Sequence, residues 1–472
     1  MADLDDVPAG GDGLLYWSLL AHHMGSDTTT ETSLDLQYPS EDWSGFVRNH
    51  LGPSLLWALV GIGGSHVVLA PTLGGLYGVF GVWIVTIVYI AKYGGWELGI
   101  RYNYGVGRNP VEAYGDLPGP AHWGQWLTLT VYLVGWTVIL AAVGTATAAF
   151  ASALIPGFSL IQLYVPLIGV AMALVLIARY QFVENLMKVF AVTLGLLVLL
   201  GVFVSPPSPS RIEATAFAAP DVTSAAFLGL FAAIAGYAPT GLSTTVTIGS
   251  WSMAKRQGAR ALREKDIDPT DESYHDYIRS WMRVGKRDFR IAFGLSYILL
   301  VSMILLSTAV LYPTPPQDKN VAIAIANLLR GTFGVWSYYA LAIGAFAALY
   351  STIVTVLDGA SRVNADVLAL VLDRDVDKDR WRRIFVLYMG LASLLPILLI
   401  GQLPVTLVVF SAALMAILQI FFYFANYYIV RKHLPEAFQP TKTQTIYYAV
   451  SMALVVLFGI MGAMGRLGLV GG

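Results

Sequence analysis

Seven side chains gather hydrogen-bonding chemistry around two places where a helix should fail. Ser65 and His66 follow Gly63-Gly64. Tyr237, Thr240, Ser243, Thr244 and Thr245 surround Pro239. The stretches are Val60-Gly-Ile-Gly-Gly-Ser-His66 and Ala235-Gly-Tyr-Ala-Pro-Thr-Gly241, each inside a long apolar segment. Hydroxyls, one imidazole and opened backbone can hold a small polar solute or ion. At membrane depth, irregular backbone is tolerated only where it is buried in protein or lines a cavity. Two interruptions at matching places in two halves of a chain point to a transporter's substrate site. Gly63, Gly64, Ala235 and Ala238 therefore join the candidates through their backbone, and Gln419 joins them from a later span. No catalytic residue and no metal ligand set is assigned.

The N-terminal end of a half-helix carries roughly half a positive charge. With no carboxylate opposing it, that field favours an anionic or dipolar solute over a naked cation. A neutral polar solute or a hydrated ion fits the hydroxyls as well. His66 could donate to an anion, bind a metal weakly or carry a proton near neutral pH. It could equally be a histidine hydrogen-bonded within a helix bundle.

The elements that must position these groups are membrane helices. Of 472 residues, 56% are hydrophobic and only 12% charged, about half the share of a soluble domain. Mean hydropathy is +0.64. There is no cysteine, so disulfides and thiolate chemistry are excluded. The acidic, polar N-terminus is not built like a signal peptide and reads as a cytoplasmic tail over residues 1–50. Eleven spans of roughly 20 residues or more follow. Five fill residues 51–205 and five fill 223–432. The eleventh falls in 442–472, and a cytoplasmic loop covers 254–290. Each set of five opens with a broken helix, the layout of two inverted repeats. The expected fold is all-α and polytopic.

Lys and Arg concentrate in alternate loops, at Arg101 and Arg108, Arg179 and Lys188, Lys255 to Arg290, Arg374 to Arg383, and Arg431-Lys432. The opposite loops hold little beyond Arg211 and Lys319. This bias predicts a cytoplasmic N-terminus and an external C-terminus in a plasma or inner membrane. Inside the spans, Glu97/Arg101, Glu184/Lys188 and Asp358/Arg362 are spaced i, i+4, as structural ion pairs are. Asp358/Arg362 could also gate the cytoplasmic side. Lys92 lies deeper, either lining a pathway or snorkelling inward. No phosphate-binding loop appears, so ATP-driven pumping is unsupported. Acids and histidines are too scattered for a membrane enzyme, and nothing suggests a nucleic-acid partner.

Several short runs resemble the Nramp family of metal-ion transporters. Leu51-Gly-Pro-Ser-Leu-Leu-Trp resembles the family's entry to the first helix, and Thr72-Leu-Gly-Gly-Leu-Tyr-Gly78 its exit. Glu97-Leu-Gly-Ile-Arg-Tyr with Gly105-Val-Gly-Arg-Asn-Pro-Val-Glu resembles the end of the second helix and the loop beyond. Ser351-Thr-Ile-Val-Thr, Arg382-Arg383 with Pro396, and Gln419 resemble parts of the eighth, ninth and tenth helices. The resemblance implies a LeuT-type fold, two inverted five-helix repeats plus an eleventh helix. It also implies alternating-access symport of a metal ion with a coupling proton or cation, with no resident cofactor and lipid as the surrounding partner. The chain departs from the family at its site. The family's Asp-Pro-Gly-Asn falls on Gly63-Gly64-Ser65-His66, and its Met-Pro-His on Ala238-Pro239-Thr240. Trp126 to Leu154 holds none of the acids expected in the third helix. A carboxylate and a soft thioether are what select a dehydrated transition metal. The expectation is a secondary transporter whose transition-metal site has been replaced. The alternatives are a carrier of a small anion or polar organic solute, or a channel or sensor on the same fold.

Overall fold

The computed structural model describes residues 36–50, 63–177 and 181–467. The opening of the first predicted span, residues 51–62, lies outside these, as do Arg179, the side chains of Glu184 and Lys188, and most of the N-terminal tail. Every regular element among the described residues is helical. A short helix, α1 (Trp43–Asn49), is capped by the Asp42 carboxylate. The first span is described from Gly63. It passes through a π-helical turn at Ser65–Leu69 into α2 (Ala70–Tyr77). Then come α3 (Phe80–Val106), α4 (Trp123–Leu154), α5 (Leu160–Ile177) and α6 (Gln181–Val204).

The sixth predicted span is two helices, α7 (Ala225–Tyr237) and α8 (Thr244–Ala254). The local cause is readable. Ser224 caps α7 by accepting from the Phe227 N–H. Pro239 has no N–H to continue the helix, and its ring excludes the α conformation from the residue before it. Ala238 is accordingly extended, at φ −95° and ψ 125°. The chain continues with α9 (His275–Val310), α10 (Val335–Leu372), α11 (Lys378–Ile400), α12 (Pro404–His433) and α13 (Lys442–Leu467). Seven of the described helices are individually long and apolar enough to cross a bilayer.

Small residues set the helix spacing, as is usual where lipid removes the hydrophobic drive between helices. A Cβ on Gly95 would come within 2.7 Å of the Tyr423 ring, and one on Gly99 within 2.7 Å of Thr245. These glycines let α3 lie close against α12 and α8. Between these glycines on α3, Glu97 is buried and accepts from Arg101 at 2.9 Å and from Lys286 at 2.8 Å. The Tyr448 hydroxyl also donates to it. Arg101 reaches on to the Phe438 carbonyl at 2.8 Å. The predicted i, i+4 pair is thus the centre of a cluster joining α3, α9 and α13. Asp358 likewise binds both Arg362, at 3.1 Å, and Arg382, at 2.6 Å, tying α10 to α11. Removing one member of a buried pair strands the other charge at a cost of about 3–5 kcal/mol. Glu97→Gln should therefore lower the melting midpoint in detergent far more than loss of the exposed Lys378–Asp366 pair does. Equal shifts would contradict this.

Residues 36–50 dock on α9. Tyr38 meets Tyr277 at 5.3 Å, His50 meets Trp281 at 5.2 Å, and the Arg287 guanidinium sits 5.3 Å from the Phe46 ring centre. His50 Nε2 accepts the Ser40 N–H at 3.0 Å, which requires a neutral ring. Burial first, and the charge of Lys255 second, push His50 down from 6.5 to about 4. A depressed folded value means the contribution is complete above the unfolded value and fades as pH falls toward about 4. Amide-exchange protection at Ser40 should fall over that window, and constant protection would contradict the assignment.

Candidate substrate cavity

The break between α7 and α8 is held from all sides. Gly236 lies against the Ala412 carbonyl, so close that a Cβ there would sit 1.8 Å from the oxygen. That contact brings α7 onto α12. The Tyr237 hydroxyl is 2.6 Å from Ser411 Oγ. Tyr132 of α4 donates to the Ser243 carbonyl at 2.9 Å. The Thr240 and Thr244 hydroxyls are 2.7 Å apart, and Thr244 donates to the Gly241 carbonyl at 2.7 Å.

The last carbonyls of a helix have no partner within it and must find one elsewhere. At the end of α7 the partner is Lys92. Its fully buried ammonium donates to the carbonyls of Ala235 at 2.8 Å, Gly236 at 3.3 Å and Thr240 at 2.7 Å. Gln419 Nε2 donates to the same Ala235 oxygen at 3.1 Å. Lys92 is therefore neither snorkelling nor free in a pathway; it is bound to the broken backbone.

A cavity of about 90 Å³ lies where the described start of the first span, residues 63–65, meets this break. Gly63, Gly64, Ser65, Tyr237, Thr240 and Thr244 line it, as do Pro239 and Gly241. The other predicted residues stand outside the lining. Ala235 and Ala238 are buried in the wall behind it, Thr245 donates to the Leu242 carbonyl, and Gln419 contacts Ala235. Ser243 is buried with its hydroxyl unpartnered. His66 is turned to α9. Its Nε2 is 3.0 Å from the Ser296 carbonyl, its Nδ1 is 3.0 Å from Ser65 Oγ, and Ser296 Oγ is in turn 2.9 Å from the Tyr89 hydroxyl.

The rest of the lining was missed by the sequence analysis. Tyr132, Trp136, Ile139 and Val143 come from α4; Thr352, Thr355, Val356, Gly359 and Ala360 from α10; Thr247 from α8 and Met415 from α12. The signals were present. Tyr132/Trp136 and Thr352/Thr355 are spaced i, i+4 and i, i+3, each pair on one helix face. Tyr132 and Trp136 stack at 5.4 Å. The indole N–H of Trp136 is buried and has no hydrogen-bond partner. No Asp, Glu, Lys, Arg or His among the described residues lines the cavity. Among the described residues, no group of three or more His, Cys, Asp or Glu is placed to hold a metal.

A family model described as natural resistance-associated macrophage protein-like, Nramp, matches residues 55–464. The chain belongs to the Nramp family. A curated relative, an uncharacterized protein of Pasteurella multocida, is 25% identical over 77% of this chain and 80% of its own length. Among solved structures, a histidine-to-alanine mutant of an Eremococcus coleocola manganese transporter matches with a TM-score of 0.67 at 13% identity, covering 93% of this chain and 91% of that one. MhsT in complex with L-phenylalanine matches at 0.54 and 12% identity, over 87% and 98% of the two chains. These neighbours share the LeuT-type fold, and this Nramp-family chain is an all-α, multi-pass member of it.

Gly236 offers a direct test of the packing behind the cavity. Gly236→Ala should separate α7 from α12 and reduce the monodisperse fraction in size-exclusion chromatography severely, whereas Gly229→Ala, with open space around it, should not. Equal behaviour of the two would contradict the close approach.

Proposed function

We propose that this Nramp-family protein is a secondary-active transporter that moves a small hydrogen-bond-accepting solute, an anion or a compact polar organic molecule, by alternating access. Trp136 carries this reading. An indole N–H only donates. It cannot ligate a metal, and a buried donor without a partner costs about 1–3 kcal/mol. An acceptor on the solute would relieve that cost once the ring turns its N–H, now screened from the cavity, toward it. The hydroxyls of Ser65, Thr240 and Thr247 can turn to either role, while those of Thr244, Thr352 and Thr355 already donate to backbone carbonyls and would have to turn to donate to a solute. The ammonium of Lys92 behind the break adds positive potential, and no acid among the described lining residues offsets it. Transport would proceed by the two broken spans shifting against α4, α10 and α12, with the N-terminus cytoplasmic as the basic loops suggest.

A second reading, transport of a divalent metal such as Mn²⁺, has the names of the Eremococcus neighbours and one local feature in its favour. Met415 brings a thioether to the cavity from α12. Against it stands the cost of dehydrating a dication with no carboxylate nearby. Set against the family's motifs, Gly63 and Ala238 occupy the positions of its aspartate and methionine.

A liposome uptake and thermal-shift panel separates the two. It should compare Mn²⁺, Mg²⁺, bicarbonate, formate and small amines. Stabilisation and uptake with a small anion, and none with Mn²⁺, is the expected outcome; saturable Mn²⁺ uptake would overturn the proposal. Trp136→Phe should weaken affinity for the transported solute about tenfold, the effect of one lost hydrogen bond to a charged group. Gly63→Asp combined with Ala238→Met should create Mn²⁺ binding that the unaltered protein lacks. Mn²⁺ affinity unchanged by the pair would count against the replaced-site reading.

A further inference from the structure

Lys92 does not line the cavity, and in the transport described above it contributes only background positive potential. Yet its surroundings are those of a bound cation. An ammonium has three donors, and each finds a backbone oxygen, at 2.8, 3.3 and 2.7 Å. No described carboxylate forms an ion pair with it. Two of the carbonyls end α7, where the helix carries roughly half a negative charge. The third, from Thr240, comes from the unwound segment itself. Carbonyls at the ends of interrupted helices are where coupling cations sit in transporters of this architecture, and carbonyl rings elsewhere replace an ion's hydration shell. Gly95 and Gly99 bring α3 close enough to α12 and α8 for the lysine to reach. The Glu97 cluster, just over one helical turn beyond Lys92, fixes the register of α3.

We propose that the Lys92 ammonium is a tethered cation that permanently fills a monovalent-cation site formed by the carbonyls of Ala235, Gly236 and Thr240. The break then keeps its shape without a dissociable sodium, potassium or metal ion at that point. A lysine carried on α3 cannot leave with the solute, so this site contributes no transported coupling ion. The inference does not depend on which solute fills the cavity, so the two can fail separately.

The test is charge rescue. Lys92→Ala empties the site, whereas Lys92→Met fills the space with a neutral chain. Both should melt below the unaltered protein. Methylammonium chloride at high millimolar concentration should raise the midpoint of Lys92→Ala by several degrees, with potassium or sodium giving smaller gains. Tetraethylammonium, too large for the site, should give none at equal ionic strength. The unaltered protein and Lys92→Met should not respond. Lys92→Met melting with the unaltered protein would overturn the proposal, as would Lys92→Ala gaining nothing from any small cation. If Lys92→Ala is lost on extraction, recovery of monodisperse protein only when methylammonium is present supports the proposal. Recovery in none of these salts counts against it.

Discussion

Three carbonyl oxygens at the break after α7 must be satisfied within the protein, and one lysine reaches all three. The constraint follows from the bilayer, where an unpaired backbone group costs several kcal/mol. Once Pro239 ends the helix, a buried donor becomes obligatory. Lys92 supplies it from α3, so α3 must lie tightly against the break. Its glycines and the Glu97 cluster read as consequences of that demand. The cavity on the other face of the break is then free to be lined by hydroxyls and rings rather than by charge.

Much of the fold was legible because membrane helices announce themselves. Long apolar runs, Pro239, Gly63-Gly64 and the alternation of basic loops suggest the spans; α4 to α6 and α10 to α13 lie close to them, whereas α9 starts at His275, inside the stretch read as a cytoplasmic loop over 254–290. The break at Pro239 was readable to the residue, since proline acts on its immediate neighbour. The site was legible only in part. Residues flanking the breaks, such as Ser65, Tyr237, Thr240 and Thr244, line the cavity because their position is set by local chain geometry. Tyr132, Trp136, Thr352 and Met415 arrive there from other helices. Local spacing puts Tyr132 with Trp136, and Thr352 with Thr355, on one helix face, but which neighbour that face meets depends on how the helices pack, which local spacing does not encode.

His66 and Lys92 show the same limit from the opposite side. His66 is three positions beyond the first interruption, yet the π-helical turn carries its ring toward Ser296 and away from the cavity. From the sequence, Lys92 reads as lining a pathway or snorkelling inward because the break it serves is distant from it in the chain. Membership of the Nramp family fixes the architecture, while the side chains in this chain's cavity set its chemistry. That chemistry is rich in hydroxyls and, among the described lining residues, lacks acids. The soft sulfur it keeps, on Met415, comes from α12 rather than from the interrupted span.

The most direct test is an anomalous difference map from crystals of this protein soaked in Mn²⁺. The account predicts side-chain density for Lys92 against the carbonyls of Ala235, Gly236 and Thr240, with no anomalous peak between Gly63 and Thr240. A manganese peak ligated by the Ala235 carbonyl, with the lysine turned away, would contradict it.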